Sequence, residues 1–328
     1  MKTANKISLS TKTSAATNQD NEQLYDKICL TLHSSDSAKQ KRQKFVKFLR
    51  EQIQTNYKIL QSEFENKNIS FSSLSNSIIK ETDLIISTTF KLATSNLHPA
   101  PTPTEAERLS IIAVGGYGRG EMAPFSDVDI LFLTPYKTTP WTENVIESML
   151  YILWDLKLQI GHATRSIDEC ILLGQKDFTI RTSLLETRPI CGDKNLGNEL
   201  TTRLWNELFQ SSTTEFITAK LKERATRHKK HGENRYLLEP NIKEGKGGLR
   251  DLQSLFWIAK YIHHVEKPLE LIQKGVFNDQ EYTKFVNANN FLWQVRCHLH
   301  FLNNKASEQL NFDSQFEIAK RLSYQDLD

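Results

Sequence analysis

Cysteine is scarce in this chain: four in 328 residues, at Cys29, Cys170, Cys191 and Cys297. No two of them stand at CxxC spacing, so the pattern is neither a disulfide framework nor a zinc site, and it fits a reducing, cytosolic compartment. Long apolar runs are missing as well. No stretch approaches the roughly 20 residues that a membrane helix needs, which removes the membrane as a partner. An excess of one charge is also absent. The 42 Lys and Arg nearly balance the 39 Asp and Glu, and a net charge of +3 is too small to argue for nucleic acid. The N-terminus, MKTANKISLSTKTSAATNQDNEQ, lacks the apolar core of a secretion signal. Its serines and few acids bear a faint likeness to an organelle transit peptide; its polar composition reads as a disordered tail over residues 1–22.

What is present is ordinary for a globular protein. The chain is 38% hydrophobic and 25% charged. Its length fits roughly two domains with a sizeable core.

Residues 23–97 read as an N-terminal helical segment. One helix is expected over 37–67, with Phe45, Phe48, Leu49 and Ile53 at spacings of three and four, and a second over 73–95. HPAPTPTEAE, residues 98–107, is a linker in which three prolines prevent a regular helix. SIIAVGG then reads as a short buried strand that stops at two glycines. SDVDILFLT is a second strand. TENVIESMLYILWDLK is a helix capped by Thr142, with Ile146, Leu150, Leu153 and Trp154 as its buried face. LQIGHATRSI is a third strand, followed by a helix near Asp168. LLETRPICGD is a further strand or an extended connection. From about residue 195 the chain reads as mainly helical, and its last clear helix spans 279–303, with Phe291, Leu292, Val295, Leu299 and Leu302 on its apolar side. EPNIKEGKGGLRDLQ, residues 239–253, interrupts this helical region.

The chemistry gathers in VGGYGRGEMAPFSDVDILFL, residues 114–133. Residues i and i+2 of a strand share a face. Val128 and Ile130 are thus expected in the core, with Asp127 and Asp129 outward together. Two adjacent carboxylates repel unless a cation lies between them. Magnesium favours carboxylate oxygens together with substrate phosphates. Gly115, Gly116, Gly118 and Gly120 supply backbone that can approach a phosphate closely. A helix starting after Gly116 would add its positive end. Arg119 can reach a phosphate oxygen or brace the turn, and Ser126 can orient Asp127 or donate to a phosphate. Neither a dinucleotide fingerprint nor a GK[ST] phosphate loop is present. A lone DxD is often a solvated strand edge. The specific signal is the combination of apolar strand, GG and SDxD within a second apolar strand.

That unit resembles the nucleotidyltransferase superfamily that includes DNA polymerase β. GGYGRGEMAPFSDVDILFL resembles more closely the N-terminal catalytic part of the bacterial PII uridylyltransferases. LWDLKLQIGHATRSIDEC, TSLLETRPICGD, YLLEPNIKEGKGGLRDLQSLFWIAKY and FLWQVRCHLHFLNNKASEQLNFDSQFEIAKRL follow in family-like order, so the likeness runs from about Ser73 to the end. The KEGKGGLRDLQ segment is the most discriminating. The resemblance implies an α+β fold, with a polymerase β-like mixed sheet over residues 98–200 and a helical domain over 201–328. It implies transfer of UMP from UTP to a tyrosine of the PII signalling protein, with release of pyrophosphate. It implies Asp127 and Asp129 as ligands of magnesium, with manganese as an alternative, and Gly115 and Gly116 beneath the triphosphate.

Several points stay open in the sequence. Where many superfamily members carry a third carboxylate, this chain offers His162 and Arg165. Asp168, Asp177 and Glu186 compete as general base, and His162 is either a ligand of the triphosphate or a structural residue. Full-length family members continue into an HD-type phosphohydrolase domain and two ACT domains, which do not fit after Lys320. The chain is therefore expected to be a fragment, a truncated product or a transferase-only form. Lys243, Lys246 and Arg250 form either a basic flap over the triphosphate or a packed turn, in which Asp251 holds Arg250 or caps a helix beginning near Leu252. The basic run over 220–235 is a solvated helix face or an attractor of the triphosphate or an acidic partner. Trp154, Trp205, Trp257 and Trp293 are expected in the core, and packing is the default for Tyr117 and Phe125. The rival readings are a related nucleotidyltransferase with another nucleotide or acceptor, and a binding fragment without turnover. A nucleic-acid polymerase is disfavoured, since no template-scale basic surface is seen.

Overall fold

The computed structural model describes residues 24–28, 30, 33, 35–100, 104–210, 212–231 and 237–324. The tail at 1–22, Cys29, the prolines at 101 and 103, and the end of the basic run at 232–235 lie outside the described residues.

Four short strands form the sheet: β1 (Ser110–Ala113), β2 (Val128–Thr134), β3 (Ile160–Ser166) and β4 (Arg188–Gly192). Their order is β3-β2-β1-β4. β1 runs antiparallel to β2 and β4, while β2 and β3 are parallel. A parallel pair needs a crossover, and the helix Pro140–Asp155 supplies it. The sheet is mixed and the architecture α+β, as the sequence suggests.

Alternation along the strands divides the core. Val128, Ile130 and Phe132 join Ile111 and Ala113 in a cluster with Phe45, Leu49, Ile79, Ile86, Val145 and Met149. The N-terminal helices Ala38–Glu65 and Phe71–Leu92 thus cover one face of the sheet together with the crossover helix. Leu131 and Leu133 join Ile112 in a second cluster that reaches Phe216, Trp257 and Tyr261. Helices Thr213–Lys230 and Leu249–His263 therefore belong to the other face. A third cluster gathers Phe64, Phe71, Leu74, Ala123, Leu249, Trp293, Cys297 and Phe301. It clasps the connection ahead of Asp127 between the two helical regions.

Local signals place most helix starts. Ser37 and Gln40 form a capping box at the first long helix, and Ser166 and Glu169 form another immediately after β3. The crossover helix departs from expectation. Its cap is Thr139, with Pro140 in the first turn, and Thr142 is the reciprocal member of the box. Ile146, Leu150 and Leu153 are buried as expected, but Trp154 is 46% exposed, because the buried stripe is centred on Val145, Met149, Ile152 and Leu153. Phe291 is also exposed: in helix Asp279–Asn303 the buried residues begin only at Trp293. Among the described residues no helix is long and apolar enough to cross a membrane.

Candidate active site

β1 ends at Ala113, and the Val114 amide still donates to Asp129 O (3.1 Å), so the turn leaves the sheet directly beside Asp129. Gly115–Arg119 forms a single helical turn that starts two residues earlier than expected and closes at Gly120 in the left-handed conformation. One turn is too short for a strong axial dipole, so its contribution is the amides themselves.

Val128 and Ile130 are buried, Asp127 is exposed and Asp129 half-buried. The two carboxylates stand at the head of β2, on the strand face that continues into Leu131 and Leu133. Asp129 is flanked by two glycines. A Cβ on Gly115 would lie 3.2 Å from Asp129 Oδ2, and one on the cross-strand partner Gly161 would lie 2.3 Å from Oδ1. Burial first, then the charge of Asp127, raises the Asp129 carboxyl above its ordinary value, and Lys243 opposes them. Asp129 is thus short of positive charge. Among the described residues no group of three or more His, Cys, Asp or Glu is arranged to hold a metal ion. The protein's own contribution is the pair.

Arg119 lies largely buried, between Glu121 (2.6 Å) and Glu186. The guanidinium therefore braces the turn from behind. Gly118 is fixed by the same neighbour: a Cβ there would come within 1.8 Å of Glu186 O. Ser126 closes the turn before the aspartates, accepting from Ala123 N (3.0 Å) while its own amide donates to Ala123 O. Tyr117 and Phe125 are packed. Tyr117 is 1% exposed, and the Phe125 ring lies 5.1 Å from that of Tyr57.

The loop at 239–253 is an ordered turn. Asn241 Oδ1 accepts from the amides of Lys243 and Glu244, and Asn241 pairs with Gln309 as an isolated bridge. The Lys243 charge acts on Asp129, with its ammonium 3.9 Å from Glu308, while Arg250 bonds Glu244 and Gln253 and lies over the Trp257 ring (5.4 Å). Asp251 does not hold Arg250. It receives Arg227, His228 and the Gly247 amide, and the helix begins at Leu249. Lys220 and Arg119 also approach the Trp257 indole, at 5.1 and 5.8 Å.

The competing acids are engaged elsewhere. Asp168 follows β3 at the end remote from Gly161 and pairs with Arg203 (2.7 Å). Asp177 caps helix Phe178–Leu184. Glu186 is buried against Arg119. His162 is exposed on the face opposite the aspartates, edge-on to Trp154. A cavity of about 1080 Å³ runs along helix Thr213–Lys230, lined by Phe178, Thr218, Arg227 and Glu244 among others. Its lining excludes both aspartates, and acids and bases alternate along it. The candidate site is thus the open aspartate pair and not this hollow.

Several residues that shape this place carry little signal in the sequence. Asp83 receives Tyr117 and Arg188. Glu308 receives Arg296, with Lys243 at 3.9 Å and His300 at 3.6 Å. His300 Nδ1 lies 3.2 Å from Pro124 O, three residues before Asp127. The available signal was a charged residue inside an apolar helical pattern, as in ETDLIIS.

Comparisons with known proteins bear on the region that carries this pair. Residues 103–190 match the nucleotidyltransferase domain, and residues 215–328 match the family described as GlnD PII-uridylyltransferase. A bifunctional uridylyltransferase/uridylyl-removing enzyme of Ruegeria pomeroyi is 58% identical over 245 residues, 75% of this chain and 27% of that protein. Proteins of the same name from Cereibacter sphaeroides and Nitrobacter hamburgensis are 55% and 53% identical, over 75% and 74% of this chain. The matched region is about a quarter of the length of these relatives. By both matches, the chain carries a nucleotidyltransferase domain and belongs to the GlnD PII-uridylyltransferase family.

Proposed function

We propose that this chain transfers UMP from UTP to a tyrosine hydroxyl of the PII signalling protein, with pyrophosphate as leaving group. The observation that carries the reading is the placement of Asp127 and Asp129 at the head of β2, with Asp129 held between Gly115 and Gly161. The family description and the relatives' names supply the uridylyl group and the acceptor.

The pair suits magnesium. Two carboxylates leave most of an octahedral shell to phosphate oxygens and water, which is how this ion is usually held beside a nucleotide. Asp129, raised by burial and by Asp127, favours a cation next to it. When bound, the ion neutralises charge on the triphosphate and on the departing pyrophosphate, and manganese serves the same purpose. The residues of the chain position the reactants. Gly115 and Gly116 let the backbone lie against the phosphates. Arg119 keeps that turn in place through Glu121 and Glu186. Ser126 fixes the approach to Asp127. Lys243, whose charge acts on Asp129, supplies an ammonium to the triphosphate, and Arg250, held by Glu244 and Gln253, adds its charge to the same region. The acceptor oxygen then bonds to the α-phosphorus, its phenolic proton leaves, and the bond to the β-phosphate oxygen breaks. Positioning and charge neutralisation supply most of the rate in such transfers.

Labelled UTP, ATP, CTP and GTP, each offered with and without PII, test the assignment. The expected result is label on PII from UTP alone. Stronger labelling from ATP, or label only on something other than PII, would overturn the uridylyl assignment. Absence of transfer with either magnesium or manganese would favour a binding fragment.

A further inference from the structure

The glycine turn is gripped by a helix that precedes the matched nucleotidyltransferase domain. That domain match begins at residue 103, whereas the helix is Phe71–Leu92. Ser75, Ile79, Asp83 and Ile86 fall at spacings of four, four and three and form one buried stripe. Two of the four are polar, and both bond the turn region. Ser75 Oγ accepts from the Met122 amide (2.9 Å), just past Gly120. Asp83 Oδ1 accepts from the hydroxyl of Tyr117, which stands between Gly116 and Gly118.

Asp83 is 2% exposed, and Arg188 makes a two-pronged contact with it: Nη1 to Oδ2 at 2.7 Å and Nη2 to Oδ1 at 3.0 Å. The same guanidinium lies 5.1 Å from the centre of the Tyr117 ring. Arg188 opens β4 and pairs with Ala113, the last residue of β1. Helix, turn and both strands thus meet at one carboxylate. Burying a charged pair rarely adds stability over an apolar filling of equal size, so its presence calls for another reason. A directional contact fixes position in a way that an apolar contact does not.

We propose that Asp83 is a positioning residue. Through Tyr117 and Arg188 it sets the height and tilt of the glycine turn relative to β2, so that the turn's backbone and the aspartate pair face the same triphosphate. The catalytic unit therefore includes helix Phe71–Leu92. This inference rests on the reading of the turn as the triphosphate seat.

The test uses the full chain, with UTP and magnesium as the probe for binding and PII as acceptor for turnover. Tyr117→Phe removes one hydroxyl and leaves the Asp83–Arg188 pair in place. It is expected to raise the UTP dissociation constant and KM about tenfold, the value of one hydrogen bond to a charged group, with a smaller change in kcat. Asp83→Asn is expected to act in the same direction and more strongly, and its thermal unfolding is recorded alongside. A lower unfolding temperature with UTP affinity and KM unchanged in Tyr117→Phe would make the cluster merely structural and overturn the proposal. If unmodified protein binds no UTP, the reading of the site fails and this inference falls with it. If unmodified protein binds UTP and Tyr117→Phe binds equally well, only this inference fails. Should Asp83→Asn not fold, Tyr117→Phe alone decides.

Discussion

At Gly161 a single methyl group decides where Asp129 points. A Cβ there would meet Asp129 Oδ1 at 2.3 Å, and the carboxylate can swing away because it is the end of a side chain. Gly161→Ala is therefore expected to fold normally and to lose about 100-fold in transfer rate, the order expected from a displacement near 1 Å. Gly118→Ala meets a carbonyl of the main chain, at 1.8 Å from Glu186 O, and is expected to lose stability first. Thermal unfolding and initial rates on both variants separate the two outcomes; a fully active Gly161→Ala would mean that Asp129 need not hold its position. Asp127, Asp129 and the glycines were legible in the sequence because strand, turn and carboxylates follow one another within 20 residues. The supports were not. Asp83 is 34 residues from Tyr117 and 105 from Arg188, and Arg119 is 67 from Glu186. No local pattern joins residues so far apart.

At the scale of elements, helix starts were legible where a serine precedes an apolar period, as at Ser37 and Ser166. Thr139 was missed because the apolar period of its helix begins only at Val145, which made Thr142 look like the boundary. The loop at 239–253 stayed open between flap and packed turn, since its glycines and lysines suit either. Its packing is decided by a segment some 60 residues further on. Glu308 O accepts from Ile242 N, and the Glu308 carboxylate faces Lys243, Arg296 and His300. Burial alone would raise this carboxyl, but the His300 imidazole 3.6 Å away and the hydrogen-bonded Arg296 guanidinium together hold it down at about 2. A carboxyl lowered by folding stabilises above its unfolded value near 4.5 and loses that contribution as the pH falls toward 2. The difference corresponds to about 3 kcal/mol. Glu308→Gln is expected to be less stable at pH 6 by about 3 kcal/mol, having left buried cations unpaired, and to show a flatter decline between pH 5 and 2. Urea unfolding across that range checks it; parallel profiles for the two proteins would show that Glu308 does not carry the acid sensitivity.

The described chain is a short mixed sheet filled on both faces, with the candidate site at the open head of β2. The fold class was legible from the succession of apolar strands and helical periods. The order β3-β2-β1-β4 was not, because four strands of four to seven residues carry no pairing code of their own. Nor was the clasp around Ala123, in which Phe64 and Phe71 from one helical region meet Trp293 and Phe301 from the other. That clasp ties the position of Asp127 to both ends of the described chain. The proposed chemistry requires that the two aspartates act jointly on a divalent ion beside a nucleotide. Binding of manganese, followed by the loss of its free-ion paramagnetic signal with and without UTP, measures this directly. Tight uptake of the ion is expected only when UTP is present, and is expected to be abolished in both Asp127→Asn and Asp129→Asn. Equal uptake by unmodified protein and both variants would contradict it.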